Sequence, residues 1–303
     1  MTINKRAGRS IRKNKVFNII SIILTALTSM VIVAAVSTGH TLTDVVKNFV
    51  DDYKAEDAEF VTYKPLTDEN IENLENEYDV IIEYSRYKDI SVKNGDLDGA
   101  TIRIFDMPEK LNLYEVREGS EPKDGEALLT QDFADIHDIK VGDNVSLGAY
   151  SYKISAYTTK ADYIYMLEKL TGYIDNKKFA VMVVNSNEYD KLDADENGYY
   201  SIKYNKDNSK EVRGKLNQDY VIASYLAATS NTRISMPVNE GDAVTNMAMM
   251  YAPVMFIIII TLIVMILGRN IRNEQYLLGT FLALGFSRKQ IVSHYMRYGL
   301  IPG

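Results

Sequence analysis

The 303-residue chain contains no cysteine and only three histidines. Without cysteine there are no disulfides, no thiolate metal ligands and no thiol nucleophile. His40, His137 and His294 are too scattered to read as one metal site. No G-x-x-x-x-G-K-[S/T] loop is present, so the chain does not itself cradle ATP, and neither G-x-S-x-G nor H-E-x-x-H occurs. No catalytic residue, cofactor-binding residue or metal ligand is therefore expected, and the chain is not read as an enzyme.

Charge is missing from two long stretches. Val16–Thr38 runs 23 residues and Met247–Gly268 runs 22 residues without a charged side chain. As helices each spans about 33 Å, enough to cross a bilayer core. A buried core helix is the bland alternative for the second, but "PVMFIIIITLIVMILG" has no polar face. The rival for the first is a cleaved signal peptide, with small residues at Ala34 and Ala35; its apolar and basic parts are both longer than a signal uses, which favours an uncleaved span.

Acid is missing before the first run. Residues 1–15 carry six basic groups and no acid; residues 269–303 carry five basic groups and only Glu274. That leaves 23 basic and 40 acidic residues between them, a net charge of −17. A nucleic-acid partner needs a basic patch, and this region shows none. Basic flanks stay in the cytoplasm, which predicts residues 40–245 outside and the lipid bilayer as the chain's solvent along both runs. An external domain of that size can bury a core without disulfides.

Beyond the first run, Leu42, Val45, Val46, Phe49 and Val50 keep helical spacing and predict a stalk helix over 39–52. An ordinary juxtamembrane helix and a rigid lever look the same at this level. The region 53–245 then alternates short strands and helices. "EFVTYK" (59–64), "DVIIEY", "KDISVK" and "ATIRIFD" read as strands, and 67–77 as a helix capped by Thr67. "FAVMVVN" (179–185), "SNEYDKLD", "YYSIKYN" (199–205), "SKEVRGKLNQ" and "DYVIASYL" (219–226) read strand, helix, strand, helix, strand. The expected fold is an α+β domain with βαβ-type units and a β-rich insertion over 108–178. Within it, 161–175 reads as a helix or a mobile excursion. "DADENG" imitates a calcium loop with Asp193, Asp195, Asn197 and Gly198, but Tyr204 replaces the closing Glu, so it reads as an acidic turn.

The tail "RNIRNEQYLLGTFLALGFSRKQI" predicts helix, break, helix. Gly285 suits the left-handed residue that ends a helix, and Ser287 with Gln290 makes a capping box for the next, with Phe286 and Ile291 at the staple positions. The result is an apolar elbow beside Arg288 and Lys289. It either meets a partner surface or tucks against neighbouring membrane helices.

"GTFLALGFSRKQI" (279–291) resembles the G-x-x-x-A-L-G-x-S-x-x-Q-I segment after the second span of FtsX/MacB-like ABC transporter permeases. "EGSEPKDGEALLTQDFADIHDIKVGDNVSLGAYSYKISAY" (118–157) is similar to that family's extracellular core domain. The resemblance implies a membrane α-helical protein: a cytoplasmic basic segment 1–15, spans 16–38 and 247–268, an extracellular domain 53–245 and a cytoplasmic coupling segment 269–297. It implies that Leu278, Gly279, Phe281, Leu282, Ala283, Leu284, Gly285, Phe286, Ser287 and Arg288 dock on a separate ABC ATPase subunit. It also implies a homodimer or a pairing with a second permease half, and export of a peptide, lipoprotein or drug. Two departures stand out: Leu277-Leu278-Gly279 replaces the family's frequent Glu-Ile-Gly, and Leu282 replaces a basic residue. "YGLIPG" looks like the opening of a third span over 298–303, so the chain is expected to be cut from a longer permease. Two other readings fit the same layout: a mechanotransmitter that switches an extracellular cell-wall hydrolase, and a two-span sensor or anchor without an ATPase.

Overall fold

The structure is a computed structural model that describes residues 15–93 and 95–299. The basic segment 1–14 and residues 300–303 of the expected third span lie outside the described residues. The chain divides into two compact units, 1–41 with 240–303, and 42–239. Two long apolar helices flank a mixed β-sheet domain.

The first helix, α1 (Lys15–Asp52), merges the expected span and stalk into 38 continuous residues. It ends as left-handed Lys54 (φ 49°) turns the chain, and the Ala55 amide reaches back to the Val50 carbonyl at 2.8 Å. The last long helix before the tail, α6 (Thr232–Asn273), has 42 residues and begins 15 positions before the expected span. It carries Pro237 within its first turns, a residue that ordinarily argues against a helix interior. Here the missing proline N–H frees the Arg233 carbonyl, which instead accepts from the Tyr165 amide at 2.9 Å. Asn231 caps the helix by accepting from the Arg233 amide at 3.2 Å.

Among the described residues, two helices are long and apolar enough to cross a membrane, with 18-residue stretches of mean hydropathy 2.0 within Ile22–Asp52 and 2.5 within Thr232–Met265. Their apolar side chains are largely uncovered: Val31 and Ile257 are 67% and 64% exposed. In water this surface would cost about 25 cal/mol per Å², which a hydrocarbon solvent removes. Within their own unit the two helices touch at Gly39, where an added Cβ would sit 2.6 Å from the Gly241 carbonyl oxygen and nearer still to the Thr245 hydroxyl.

The domain between them is a single ten-stranded sheet. Its strands are β1 (Ala58–Thr62), β2 (Val80–Ser91), β3 (Thr101–Asp106), β4 (Tyr114–Arg117), β5 (Glu126–Thr130), β6 (Asn144–Leu147), β7 (Tyr150–Lys160), β8 (Phe179–Val184), β9 (Glu196–Tyr204) and β10 (Ile222–Ala227). The order is β10-β1-β9-β2-β3-β8-β5-β7-β4, with β6 on β7. The pairs β3–β8 and β5–β7 are parallel; the others are antiparallel. Segment 108–178, expected as an insertion, supplies β4 to β7 and continues the same sheet, joined to β8 through only Leu128–Val183 and Leu129–Met182.

Four short helices cover the sheet: α2 (Asp68–Tyr78), α3 (Gln131–Ile136), α4 (Ser186–Asp190) and α5 (Ser209–Tyr220). Thr67 caps α2 in a reciprocal box with Asn70, as its sequence position predicts. Alternation along β8 feeds two cores, because both of its faces are covered. Ala180, Met182 and Val184 pack with Phe133 of α3 and Tyr189 of α4, while Phe179, Val181 and Val183 pack with Phe105, Tyr163 and Tyr199. A third cluster seats Leu74 of α2 and Leu216 of α5 on Phe60, Ile82 and Ile202.

Two expectations are corrected. "DVIIEY" and "KDISVK" form one twelve-residue strand, β2. Ser85, Arg86 and Tyr87 between them continue the strand, with Ser85 buried and its hydroxyl 3.3 Å from that of Ser201. Segment 161–175 forms no helix, and it carries fully buried Asp162 and Tyr163 into the domain interior. The "DADENG" turn runs straight into β9, and among the described residues no acidic or histidine group forms a metal cluster.

Candidate functional site

Two places concentrate unusual chemistry: the elbow after α6 and a buried polar network inside the sheet domain. The elbow joins α7 (Gln275–Ala283) to α8 (Arg288–Gly299). The Phe286 amide donates to the Phe281 carbonyl and the Gly285 amide to Leu282, both at 3.1 Å, with Gly285 at φ 86°. These are the two reversed bonds of a Schellman ending, and its usual apolar contact is present as well. The Phe281 and Phe286 rings meet edge-on at 5.6 Å.

The next helix starts at once. The Gln290 amide donates to Ser287 Oγ at 3.3 Å, and the Ser287 amide donates to Gln290 Oε1 at 2.9 Å. Stop and start signals share four residues, so little freedom remains in the turn. Phe286, expected at the staple position opposite Ile291, also closes the preceding helix. Leu278, Phe281 and Phe286 are half-buried, while Gly279, Ala283, Gly285, Ser287 and Arg288 are exposed. Leu282 and Leu284 are 48% and 69% exposed. The structure therefore gathers the ten sequence-predicted residues on one short helix and the turn after it, and leaves two leucines uncovered. His137 Nε2 pairs with the Lys177 carbonyl at 3.0 Å.

The buried network was not foreseen. Lys160 donates to Asp162 at 2.6 Å, Arg233 donates to Glu59 at 2.6 Å, and Arg103 donates to Asp89 at 2.7 Å. The Tyr163 hydroxyl accepts from Arg103 at 2.7 Å and also from Arg233; Tyr199 donates to Asp162. Glu56 and Asn112 lie alongside, joined twice. The Glu56 amide donates to Asn112 Oδ1 at 2.9 Å, and Asn112 Nδ2 donates to Glu56 Oε2 at 2.8 Å. These groups come from β1, β2, β3, β7, β9 and α6 and from the loops beside them. No local motif could reveal a cluster in which Glu56 and Asn112 stand 56 positions apart and Glu59 and Arg233 stand 174 apart. The one available signal was the charge of Lys160, Asp162 and Arg233 next to apolar strand residues.

The sequence matches no protein-family model and no curated protein. Among solved structures, a 1.5 Å crystal structure from Bacillus anthracis, described as that of a lipoprotein, aligns at 10% identity over 56% of this chain and 96% of its own, with a TM-score of 0.28. So loose a likeness carries no argument about this chain.

Chemically, the two sites differ in kind. The elbow offers apolar area and two cations on a stiff turn, which suits docking and not catalysis. The network holds its cations in ion pairs, which suits holding the helix α6 to the sheet.

Proposed function

We propose that this chain is the membrane-spanning permease of an ABC transporter of the FtsX/MacB-like kind. In this reading α1 and α6 cross the bilayer, residues 40–245 lie outside, and both flanks lie in the cytoplasm. A separate ATPase subunit docks on the elbow. Closure of its nucleotide-loaded dimer moves the elbow, and the two long helices carry the motion to the sheet domain. The work done outside is export of a peptide, lipoprotein or drug.

The observation that carries the reading is the exposed pair Leu282 and Leu284 on a turn locked from both sides. A rigid apolar knob presented without a cover is the form of an interface anchor. A second feature supports a partner. Arg288 and Lys289 occupy the first turn of α8, where the helix dipole disfavours cations by about 0.3–1 kcal/mol each. An acidic partner surface would recover that cost.

The test is Leu284→Asp in the full-length protein, isolated in mild detergent from the membranes that make it. Leu284 is exposed, so the sheet domain should keep its resistance to protease. Co-purification of an ABC ATPase should fall tenfold or more, about 1.4 kcal/mol of docking. Undiminished capture contradicts docking at the elbow. Absence of any ATPase from the wild-type preparation favours the two-span sensor or anchor instead.

A further inference from the structure

Where α1 ends, the chain is pinned to the loop before β4 by a small clasp. The Leu113 amide donates to the Tyr53 carbonyl and the Asn112 amide to the Lys54 carbonyl, both at 2.9 Å. Asn112 is fully buried and left-handed (φ 50°), and its side chain closes the clasp on Glu56. The same amide nitrogen donates to Ser201 Oγ at 2.9 Å, and Ser201 meets Ser85 at 3.3 Å.

Glu56 is 2% exposed, and its Oε1 has no hydrogen-bond partner. The groups facing it are Asp162, just past β7, Glu59 of β1 and Tyr199 of β9, while Lys160 of β7 and Arg233 of α6 act on Glu59 beside it. Lys160 is spent on Asp162 and Arg233 on Glu59. Lys203 of β9 donates to the Ala55 carbonyl at 2.9 Å and stands 3.9 Å from Asp57. Among the described residues, then, Glu56 forms no ion pair while two neighbouring carboxylates crowd it. The cluster balances electrically when one of its carboxyls carries a proton, and Glu56, the one without an ion pair, is placed to hold it. A buried lone carboxylate is costly, and a carboxylic acid is not.

We propose that Glu56 is a proton-operated latch, which holds the clasp between the end of α1 and the sheet when protonated and loosens it when ionised. Burial first, then Asp162 and Glu59, pushes its carboxyl up to about 8, from an ordinary 4.5. The folded protein therefore keeps a proton that the unfolded chain releases. The stabilisation is complete below about 4.5, is lost as pH rises toward about 8, and stays flat above that. The device concerns the joint itself and does not depend on which partner the elbow binds.

Hydrogen–deuterium exchange on the full-length protein tests it, through peptides covering 50–60 and 108–116 and corrected for the intrinsic pH dependence of exchange. Protection of these clasp amides in the wild type should fall roughly tenfold per pH unit between pH 6 and 8 and then level off. In Glu56→Gln, which keeps the shape without the charge, protection should not change over that range. Parallel loss in both proteins, or no loss in the wild type, overturns the latch. Should the variant fail to fold, infrared spectroscopy of the wild type decides: a buried protonated-carboxyl C=O band should vanish near pH 8, and its absence at pH 6 overturns the proposal.

Discussion

Replacing Arg233 with methionine is expected to destabilise the full-length protein by about 3–5 kcal/mol. The guanidinium is 6% exposed as a residue and serves three masters: Glu59 at 2.6 Å, the Tyr163 hydroxyl, and the face of the Tyr163 ring at 4.5 Å. Methionine keeps most of the volume but leaves a buried Glu59 carboxylate with only the Asn231 amide at 3.3 Å. An uncompensated buried charge is what makes such a truncation severe. The loss is a large share of the 5–15 kcal/mol that holds a typical domain together, taken here as roughly that range. Denaturant unfolding in detergent measures it. The double variant Arg233→Met with Glu59→Gln should be less damaged than Arg233→Met alone, since it removes the stranded charge; equal damage would show that the ion pair itself is not what matters.

The second large effect lies between the two long helices. Gly39→Leu is expected to cost about 3 kcal/mol, the upper part of the range for overpacking. Any Cβ there lies 2.6 Å from the Gly241 carbonyl oxygen and 3.0 Å from the Thr245 amide nitrogen, so backbone must move, not only a side chain. Small residues let membrane helices approach this closely, because packing replaces the hydrophobic effect in lipid. Gly268→Leu is the control: it lies on α6, the partner helix, and a Cβ there meets nothing within 4 Å. Thermal unfolding in detergent should separate the two variants clearly. Equal midpoints would mean that Gly39 is not a contact point.

Much of this architecture was readable in short stretches of sequence, and the part that was not has physical reasons. Gly285 followed by Ser-x-x-Gln fixed the elbow, because capping chemistry is local and both halves of it sit within four residues of the turn. Thr67 fixed the start of α2 in the same way. The charge-free runs marked α1 and most of α6. What failed was every inference that treated polarity as exposure. Ser85 fell between two predicted strands, yet its hydroxyl finds a partner across the sheet in Ser201 of β9. The start of α6 before the charge-free run went unread, and there Tyr165 takes the carbonyl that Pro237 leaves open. Asp162 and Tyr163 read as an excursion, yet Lys160, Arg103 and Arg233 make them interior residues. Apart from Lys160 with Asp162, each of these depends on a partner from a distant segment, and no short window of sequence contains both members.

The central claim, that α1 and α6 cross a bilayer with the sheet domain outside and the elbow inside, is open to one direct measurement. The chain contains no cysteine, so a single introduced thiol is the only target for a maleimide. Tyr173 is 97% exposed on the sheet domain, and Leu284 is 69% exposed on the elbow. A membrane-impermeant maleimide added to intact cells should label Tyr173→Cys, and should label Leu284→Cys only after permeabilisation. Labelling of Leu284→Cys in intact cells, with Tyr173→Cys protected, would contradict the account.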